Sequence, residues 1–238
     1  MKPIILDLFC CEGGAAKGYH DAGFDVHGID INPKPRYPFW FKHGDAFSAL
    51  RKLCLGHMIE FDHPDGRTRR LGWYDFDAIH ASPPCQAHTM AQKIQGNDHP
   101  DLIDPTRELL LEFSKPFVIE NVPGAPLRDP VELCGAMFGL ETYRHRLFET
   151  NWELTVPDHP EHVARTTKMG RPPKLGEFMH IVGNFSGAAR AREVMGMPWA
   201  SRDGLREAIP PAYTEFIGRQ LLAHIDTTIA RVSAQDGA

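Results

Sequence analysis

A cysteine in a rigid corner is the residue of this chain best placed to act as a nucleophile. Cys85 lies in the segment 80–89 (HASPPCQAHT), directly after two prolines and downstream of the apolar run 75–79. A thiol in the loop that follows a buried strand can attack a bound ligand once it is deprotonated. The alternative is that Cys85 is a small apolar core residue, which is the usual role of an intracellular cysteine.

Two further kinds of group could act on the same ligand. Glu120 ends the apolar run PFVIE, so its carboxyl group should be desolvated and its pKa raised, which suits a general acid. Arg144 and Arg146 are two residues apart on a segment predicted to be extended. That spacing would direct both guanidinium groups to one face, where they could bind a phosphate or a carbonyl oxygen. The alternative for Glu120 is a helix-capping or loop carboxylate, and the alternative for the two arginines is a solvated strand edge.

A predicted α/β unit at the start of the chain would position these groups. Residues 3–9 (PIILDLF) form a short apolar run that is typical of a buried parallel strand. A glycine-rich turn then opens a helix that ends near Gly23, and residues 25–31 form a second strand. This is the order of a Rossmann-like nucleotide-binding unit. The turn lacks the GxGxxG spacing and the chain has no GxxxxGK[ST] loop, which disfavours an NAD-linked oxidoreductase.

Acidic residues at successive strand ends could bind a nucleoside in this unit. Asp30 could accept hydrogen bonds from ribose hydroxyls. Asp45 could accept one from an adenine amino group and could also cap a helix. The helix N-terminus after the turn could bind an anionic or zwitterionic group. The alternative is a turn that only connects a strand to a helix.

The remaining elements complete an α/β fold with a mostly parallel sheet flanked by helices. A Pro-Asp-Gly sequence predicts a hairpin insertion at 56–72. Further strands are predicted at 76–80 and 116–119, and helices at 105–114, 131–138, 191–197 and 214–232. From 149 to 180 apolar periodicity is lost, which indicates a small irregular module or a long ordered loop. We therefore expect a catalytic and cofactor-binding domain at 1–148, a recognition module at 149–187 and a returning C-terminal segment at 188–238.

Composition limits the classes of function. The chain has 238 residues, 42% of them hydrophobic, and a net charge of -5, so it does not coat nucleic acid through its whole surface. Its five cysteines include only one close pair, which is adjacent, so neither a disulfide framework nor a CxxC zinc site is indicated and no metal is expected. No apolar run is long enough to span a bilayer and no signal-peptide pattern is present. We expect a cytoplasmic protein with no membrane partner.

Four motifs occur in the order and approximate spacing of the DNA (cytosine-5)-methyltransferases. They are DLFxxxGG at 7–14, PPCQ at 83–86, ENV at 120–122 and RHRLFE at 144–149. The segment AREVMGMP also resembles a late segment of that family, so the resemblance covers about 4–218. It implies a Rossmann-like S-adenosylmethionine-dependent methyltransferase fold. It also implies methyl transfer to carbon 5 of a flipped-out cytosine in double-stranded DNA, leaving S-adenosylhomocysteine.

The resemblance implies roles for matching residues. Cys85 would add to carbon 6 of the cytosine, Glu120 would bind ring nitrogen 3 and the amine, and Arg146 with Arg144 would bind the carbonyl oxygen and a nearby phosphate. Phe9 would stack on adenine, and the polar loop 86–105 would close over the base. The residues expected to hold the cofactor are Asp7, Phe9, Cys10, Cys11, Gly13, Gly14, Asp30, Ile31, Asp45, Ala46 and Pro83. Gln86 and His88 are expected to contact DNA.

The chain also departs from the family pattern. Cys11 stands where the family has a glycine, so a wider turn is expected, and Thr142 replaces a glutamine before the arginine pair. The late GNSV-type segment is replaced by REAIPPAYTEFIG. The target-recognition region is reduced to about 150–187, which suits a short bacterial or phage enzyme of restriction-modification type, acting as a monomer.

The reduced region carries a basic patch that is expected to face DNA. The patch consists of Arg165, Lys168, Arg171 and Lys174. The alternative is a solvated basic loop. A module this short offers few contacts to base edges, which predicts a recognition sequence of about two to four base pairs.

Other functions remain open at the level of sequence. A tRNA cytosine could replace the DNA substrate, or a modified one-carbon group could replace the methyl group. A non-catalytic DNA-binding relative is disfavoured because both Cys85 and Glu120 are present.

Overall fold

A nine-stranded sheet forms the centre of the molecule. The computed structural model describes residues 2–84 and 101–236, and the predicted site residues Cys85, Gln86 and His88 lie outside them. The strands are β1 (Ile4–Leu8), β2 (Asp25–Asp30), β3 (Trp40–His43), β4 (Ile59–Asp62), β5 (Thr68–Leu71), β6 (Ala78–Ala81), β7 (Phe117–Asn121), β8 (Val131–Leu133) and β9 (Arg146–Thr150). Their order in the sheet is β5-β4-β3-β2-β1-β6-β7-β9-β8.

The central five strands are parallel and the two edges are antiparallel. β3, β2, β1, β6 and β7 pair in parallel. The hairpin β4–β5 extends one edge, as the Pro-Asp-Gly turn predicts, and β9 and β8 extend the other. The carboxyl ends of β1, β2, β6 and β7 therefore lie at one edge of the sheet, where open α/β sheets bind their ligands. The predicted fold class is confirmed.

Six helices flank the sheet in the part of the chain that the structure describes. They are α1 (Gly14–Ala22), α2 (Ala46–Cys54), α3 (Ile103–Glu112), α4 (Ala188–Met195), α5 (Arg202–Glu207) and α6 (Pro211–Asp236). The predicted cap of α2 is present, because Ser48 N donates to Asp45 Oδ1 over 2.8 Å. Within the described ranges, no helix is both long and apolar enough to cross a membrane.

Two apolar layers cover the faces of the sheet. One contains α2 and α3 with Leu6, Ile79 and Ile119, and the other contains α1 and α6. The contact between α1 and α6 is close, because a Cβ at Gly18 would lie 2.1 Å from Pro211 O. A third cluster joins residues 179–185 to α4 and α5.

The predicted helix at 131–138 is wrong. Residues 131–133 form β8, which pairs with β9, and Gly135–Phe138 forms a single 3₁₀ turn. Residues 131–133 are extended because they pair with β9, and the 3₁₀ turn ends at Gly139, which has a positive φ of 68°. The predicted domain boundary at 148 falls within β9, and the segment that follows holds only an isolated bridge between Thr166 and Phe178.

Candidate active site

A cavity of about 300 Å³ lies at the carboxyl ends of the parallel strands. It is bounded by β1 and its turn, by β2, by the loop after β6, by β7 and by the segment between α5 and α6. Ten of the predicted site residues line it, namely Asp7, Phe9, Cys10, Cys11, Gly14, Asp30, Ile31, Pro83, Glu120 and Arg146. Eight of the eleven predicted cofactor residues therefore share one cavity with Glu120 and Arg146.

The turn between β1 and α1 is held by left-handed backbone. Cys11 has a φ of 48° and Gly13 a φ of 84°, and Gly13 N donates to Cys10 O over 3.0 Å. Cys11 thus adopts a conformation that normally requires glycine. A Cβ at Gly14 would lie 2.4 Å from Ile209 O, so only glycine permits this approach of the chain to the start of α1.

Asp30 is oriented by three contacts at the end of β2. Its carboxylate accepts from Cys11 N and from Asn32 N, each over 2.9 Å, and Lys34 Nζ lies 3.5 Å from Oδ1. Each carboxylate oxygen can accept a further hydrogen bond. The group is therefore fixed but still able to bind hydroxyls of a ligand.

Asp7 is a buried carboxyl group to which the described residues offer no hydrogen bond. Its side chain is fully buried beside the cavity, and neither oxygen accepts a hydrogen bond from the residues that the structure describes. Desolvation, reinforced by the charges of Asp30 and Glu120, raises the pKa of Asp7 well above its ordinary value. A group of this kind is suited to accept hydrogen bonds from a cationic ligand.

Glu120 forms a buried ion pair at the end of β7. Arg146 Nε lies 2.9 Å from Glu120 Oε1, and the glutamate is 6% exposed. Desolvation raises the pKa of Glu120, as expected from the sequence, while Arg146, the Ser82 hydroxyl and Arg144 act in the opposite direction. The carboxyl group and the guanidinium face the same cavity.

A hydrogen-bonded chain that was not predicted leads to Glu120. Tyr19 Oη lies 2.9 Å from His80 Nδ1, and His80 Nε2 lies 2.9 Å from Ser82 Oγ. Burial lowers the pKa of His80 to about 3, so its imidazole is neutral. The Ser82 hydroxyl in turn lowers the pKa of Glu120, so Tyr19, His80 and Ser82 are linked in series to this carboxyl group. The spacing His80-x-Ser82 at the end of a strand is the sequence signal for it.

The prediction that Arg144 and Arg146 direct their guanidinium groups to one face is wrong. Arg144 is 9% exposed and donates to three backbone carbonyls, those of Ile181, Arg206 and Ala208, over 2.6–2.8 Å. The rule for alternate residues holds only within a strand, and β9 begins at Arg146. Arg144 has a φ of 26°, and its three hydrogen bonds connect the loops that border the cavity.

Three predicted cofactor residues are absent from the cavity wall. Gly13 supplies the turn, Asp45 is exposed and caps α2, and Ala46 is buried in the first turn of that helix. Pro83 is in the wall, and its carbonyl accepts from Asn121 Nδ2 over 3.0 Å. Pro84, which precedes Cys85 in sequence, also lines the cavity.

One part of the cavity wall, at the end of α5, was not predicted from the sequence. Residues 206–209 line the cavity, and they belong to the segment that replaces the family's GNSV-type sequence. Cys11 Sγ donates to Glu207 Oε2 over 3.3 Å. Glu12 secures the approach, because its carboxylate accepts from Ser201 N and Ser201 Oγ, each over 2.6 Å. The other residues of the wall that were not predicted are Ala15, Asn32, Lys34, Ser82, Pro84 and Val122.

The predicted basic patch is at the surface of the segment 149–187. Arg165, Lys168, Arg171 and Lys174 are all exposed. Three apolar side chains between 163 and 175 are also exposed, namely Val163, Met169 and Leu175. The segment therefore offers both cations and uncovered apolar groups to a partner.

Comparisons with known proteins identify relatives among the Type II methyltransferases. M.XorII of Xanthomonas oryzae pv. oryzae is 27% identical over 193 residues, which are 70% of this chain and 45% of that protein. M.AgeI of Thalassovita gelatinovora is 27% identical over 66% of this chain and 42% of its own length. M1.HphI of Haemophilus parahaemolyticus is 25% identical over 92% of this chain and 66% of its own length. This chain thus spans less than half the length of the first two relatives.

Solved structures share the fold. The Dnmt2 methyltransferase of S. pombe superposes with a TM-score of 0.55 at 13% identity, over 94% of this chain and 99% of that one. A protein described as a DNA modification methyltransferase, encoded within an E. coli prophage, gives a TM-score of 0.58 at 14% identity over the same shares. No protein-family model matches the chain. The predicted resemblance to DNA methyltransferases is confirmed by these relatives.

Proposed function

We propose that this protein transfers a methyl group from S-adenosylmethionine to carbon 5 of a cytosine in duplex DNA, with Cys85 as the nucleophile. One observation carries the proposal: a single cavity is lined by groups suited to the donor and by a carboxyl–guanidinium pair suited to a base. The sequence similarity to Type II methyltransferases supports the same class of reaction.

The residues of the β1–β2 side fit the methyl donor. The oriented carboxylate of Asp30 can accept from ribose hydroxyls, and Phe9 offers a ring to the adenine. The unpartnered oxygens of Asp7 can accept from the donor's cationic groups. The bound donor would supply an electrophilic methyl group.

The Glu120–Arg146 pair matches the edge of cytosine. That edge presents an amino donor, the acceptor nitrogen 3 and an acceptor carbonyl oxygen. A protonated Glu120 can donate to nitrogen 3 and accept from the amine, and its raised pKa favours the protonated form. Arg146 can donate to the carbonyl oxygen and thereby support the charge that develops on the ring.

The covalent step belongs to Cys85. Its thiolate adds to carbon 6 while Glu120 protonates nitrogen 3, which gives carbon 5 the electron density to accept the methyl group. Loss of the carbon 5 proton to water, elimination of the thiolate and return of the nitrogen 3 proton to Glu120 then regenerate the enzyme. The target base must leave the duplex to reach the cavity, at a cost of a few kcal/mol.

Trapping on duplex DNA that contains 5-fluorocytosine tests the nucleophile and the substrate together. The fluorine cannot leave as a proton does, so we expect a denaturation-resistant protein–DNA adduct that requires S-adenosylmethionine. Cys85→Ser should abolish the adduct and leave donor binding unchanged. Cys54→Ser alters an exposed cysteine at the end of α2 and should form the adduct normally. Turnover by the Cys85→Ser variant would refute the mechanism.

Parallel substrates separate the alternatives. Labelled methyl transfer to duplex DNA but not to tRNA supports the proposal, whereas the reverse would assign an RNA substrate. Donor binding without transfer to either nucleic acid would indicate a non-catalytic relative. Activity only with a donor of another one-carbon group would show that the group transferred is not methyl, and the proposed site would stay the same.

The basic patch is part of the proposal as the DNA-facing surface. Replacing Arg165, Lys168, Arg171 and Lys174 together by alanine should weaken binding and flatten its dependence on salt, since each lost phosphate contact reduces the slope. Methylation of randomised duplexes should depend on about two to four specified base pairs. A requirement for six or more would contradict a small recognition module.

A further inference from the structure

Four potential metal ligands converge outside the cavity, at the sheet edge formed by β8 and β9. Cys134 follows β8, His145 directly precedes β9, and His159 and His162 belong to the segment 149–187. One ligand atom from each side chain, the sulfur and three imidazole nitrogens, lies within 4.8 Å of all the others. We propose that these residues bind a zinc ion that fastens the segment 149–187 to the catalytic sheet.

Two of the separations within the cluster are close to those of a tetrahedral zinc site, and the remaining ones are no longer than 4.8 Å. Zinc–nitrogen and zinc–sulfur bonds of ordinary length place neighbouring nitrogens about 3.3 Å apart and a sulfur about 3.6 Å from a nitrogen. His145 Nε2 lies 3.1 Å from His159 Nε2, and Cys134 Sγ lies 3.4 Å from His162 Nε2. Four side chains fill all tetrahedral positions, as in structural rather than catalytic zinc sites.

The donor set selects the metal. A thiolate with three imidazoles suits zinc and other transition metals, whereas magnesium and calcium prefer oxygen ligands. Glu132 Oε1 lies 3.9 Å from His145 Nε2, so a carboxylate charge also faces the cluster and favours a cation there. The cysteine spacing alone does not reveal this site, because the cluster contains one cysteine and three histidines. The sequence signal is the His159-x-x-His162 spacing.

The surroundings of the cluster hold its histidines in place. The Tyr143 ring stacks on His162 with centroids 3.6 Å apart. Its hydroxyl donates to Ala164 O over 2.9 Å and accepts from Ala164 N over 2.8 Å, which fixes the chain just beyond the second histidine. Such outer contacts orient the ligands of metal sites.

A metal would supply the stability that this segment lacks. Residues 157–163 form no helix or strand and are exposed throughout, so they bury little apolar surface. A small irregular segment of this kind commonly depends on a metal for its folding. His145 is adjacent to Arg146, the partner of Glu120, so the ion would also fix the segment relative to the candidate active site. The metal site does not depend on the proposed methyl transfer.

Metal content provides the direct test. Mass spectrometric metal analysis of the purified full-length protein should find one zinc per chain. Cys134→Ser and His159→Ala should lose most of it, and His159→Cys should retain it because zinc also accepts a Cys₂His₂ set. The matched controls Cys54→Ser and His57→Ala alter exposed residues outside the cluster and should keep one zinc.

A second measurement keeps the proposal testable if Cys134→Ser fails to fold. Wild-type protein stripped of metal and loaded with Co²⁺ should show a thiolate-to-cobalt charge-transfer band, and chelation should lower its Tm until Zn²⁺, but not Mg²⁺, is restored. Wild-type protein that contains no zinc and gains none on addition would overturn the proposal. The same zinc content in Cys134→Ser, His159→Ala and the controls would do so as well.

Discussion

Arg146 and Glu120 form an ion pair across β9 and β7, with Nε 2.9 Å from Oε1 and side chains that are 12% and 8% exposed. The two residues come from neighbouring strands and face one cavity with the candidate donor site. Desolvation raises the pKa of Glu120, and the nearby guanidinium and hydroxyl groups oppose that rise. Few neighbours therefore determine the pKa of Glu120, so substitution of one of them should change that pKa.

Ser82→Ala should raise the pKa of Glu120 further, because it removes a hydrogen bond that stabilises the ionised carboxylate. If the protonated form is the active one, the alkaline limb of the pH profile of kcat/KM should move to higher pH. Ser48→Ala, at an exposed serine of α2, serves as the control and should leave the profile unchanged. A limb that moves to lower pH would show that Ser82 does not donate to Glu120.

Arg144→Lys should destabilise the protein, because a lysine ammonium group cannot donate to the three carbonyls in the geometry that the planar guanidinium group provides. Loss of these charged hydrogen bonds should cost about 3 kcal/mol in the free energy of unfolding. Denaturant titration measures the loss, and Arg171→Lys at the exposed patch should show none. Wild-type stability in Arg144→Lys would mean that the three contacts contribute nothing.

Asp7→Asn should stabilise the ligand-free protein at alkaline pH and weaken donor binding. The pKa of Asp7 is raised, so between its ordinary and raised values the folded state holds a proton that the unfolded chain has released. Wild-type stability therefore falls as pH rises through that range, and asparagine removes this loss. Melting curves should show the variant above wild type at pH 8, with the difference shrinking towards pH 4, whereas Asp158→Asn should follow wild type. Calorimetry should show donor affinity at least about tenfold lower if Asp7 accepts from the donor.

Cys11→Gly should stabilise the turn after β1. Left-handed backbone costs a residue with a Cβ about 1–2 kcal/mol, and the hydrogen bond from Cys11 to Glu207 compensates for only part of this cost. We expect a gain of about 1 kcal/mol in unfolding free energy. The converse change, Gly13→Ala, should destabilise, because φ is 84° there and the added Cβ would lie 3.1 Å from the Tyr37 ring. Equal effects of the two substitutions would exclude backbone strain as the cause.

Local signals in the sequence predicted most of the parts that position the site. The apolar run at β1, the glycine turn, the Asp45 cap and the β4–β5 turn all depend on residues close together in the chain. The confirmed fold class follows from the order of these parts.

The features that were missed depend on contacts between distant residues. Residues 131–133 become a strand only because β9 pairs with them. The part of the cavity wall from 206–209 meets a turn that lies some two hundred residues earlier, and Cys134 meets His162 across 28 positions. No pattern among neighbouring residues in the sequence predicts such contacts. The position of Arg144 differs from its prediction for another reason, because side chains alternate only within a strand and Arg144 precedes β9.

The close approach of α1 to the chain around Ile209 and Pro211 has a kinetic consequence. Gly14 and Gly18 leave room for the backbone oxygens of these two residues. The first helix therefore packs closely against a part of the chain near the other end of the sequence. Closing so large a loop costs entropy before any contact compensates for it, and contacts of high sequence separation slow folding. The candidate active-site cavity, which is completed by residues 206–209, should therefore form late. Refolding followed by donor binding should lag behind refolding followed by secondary structure.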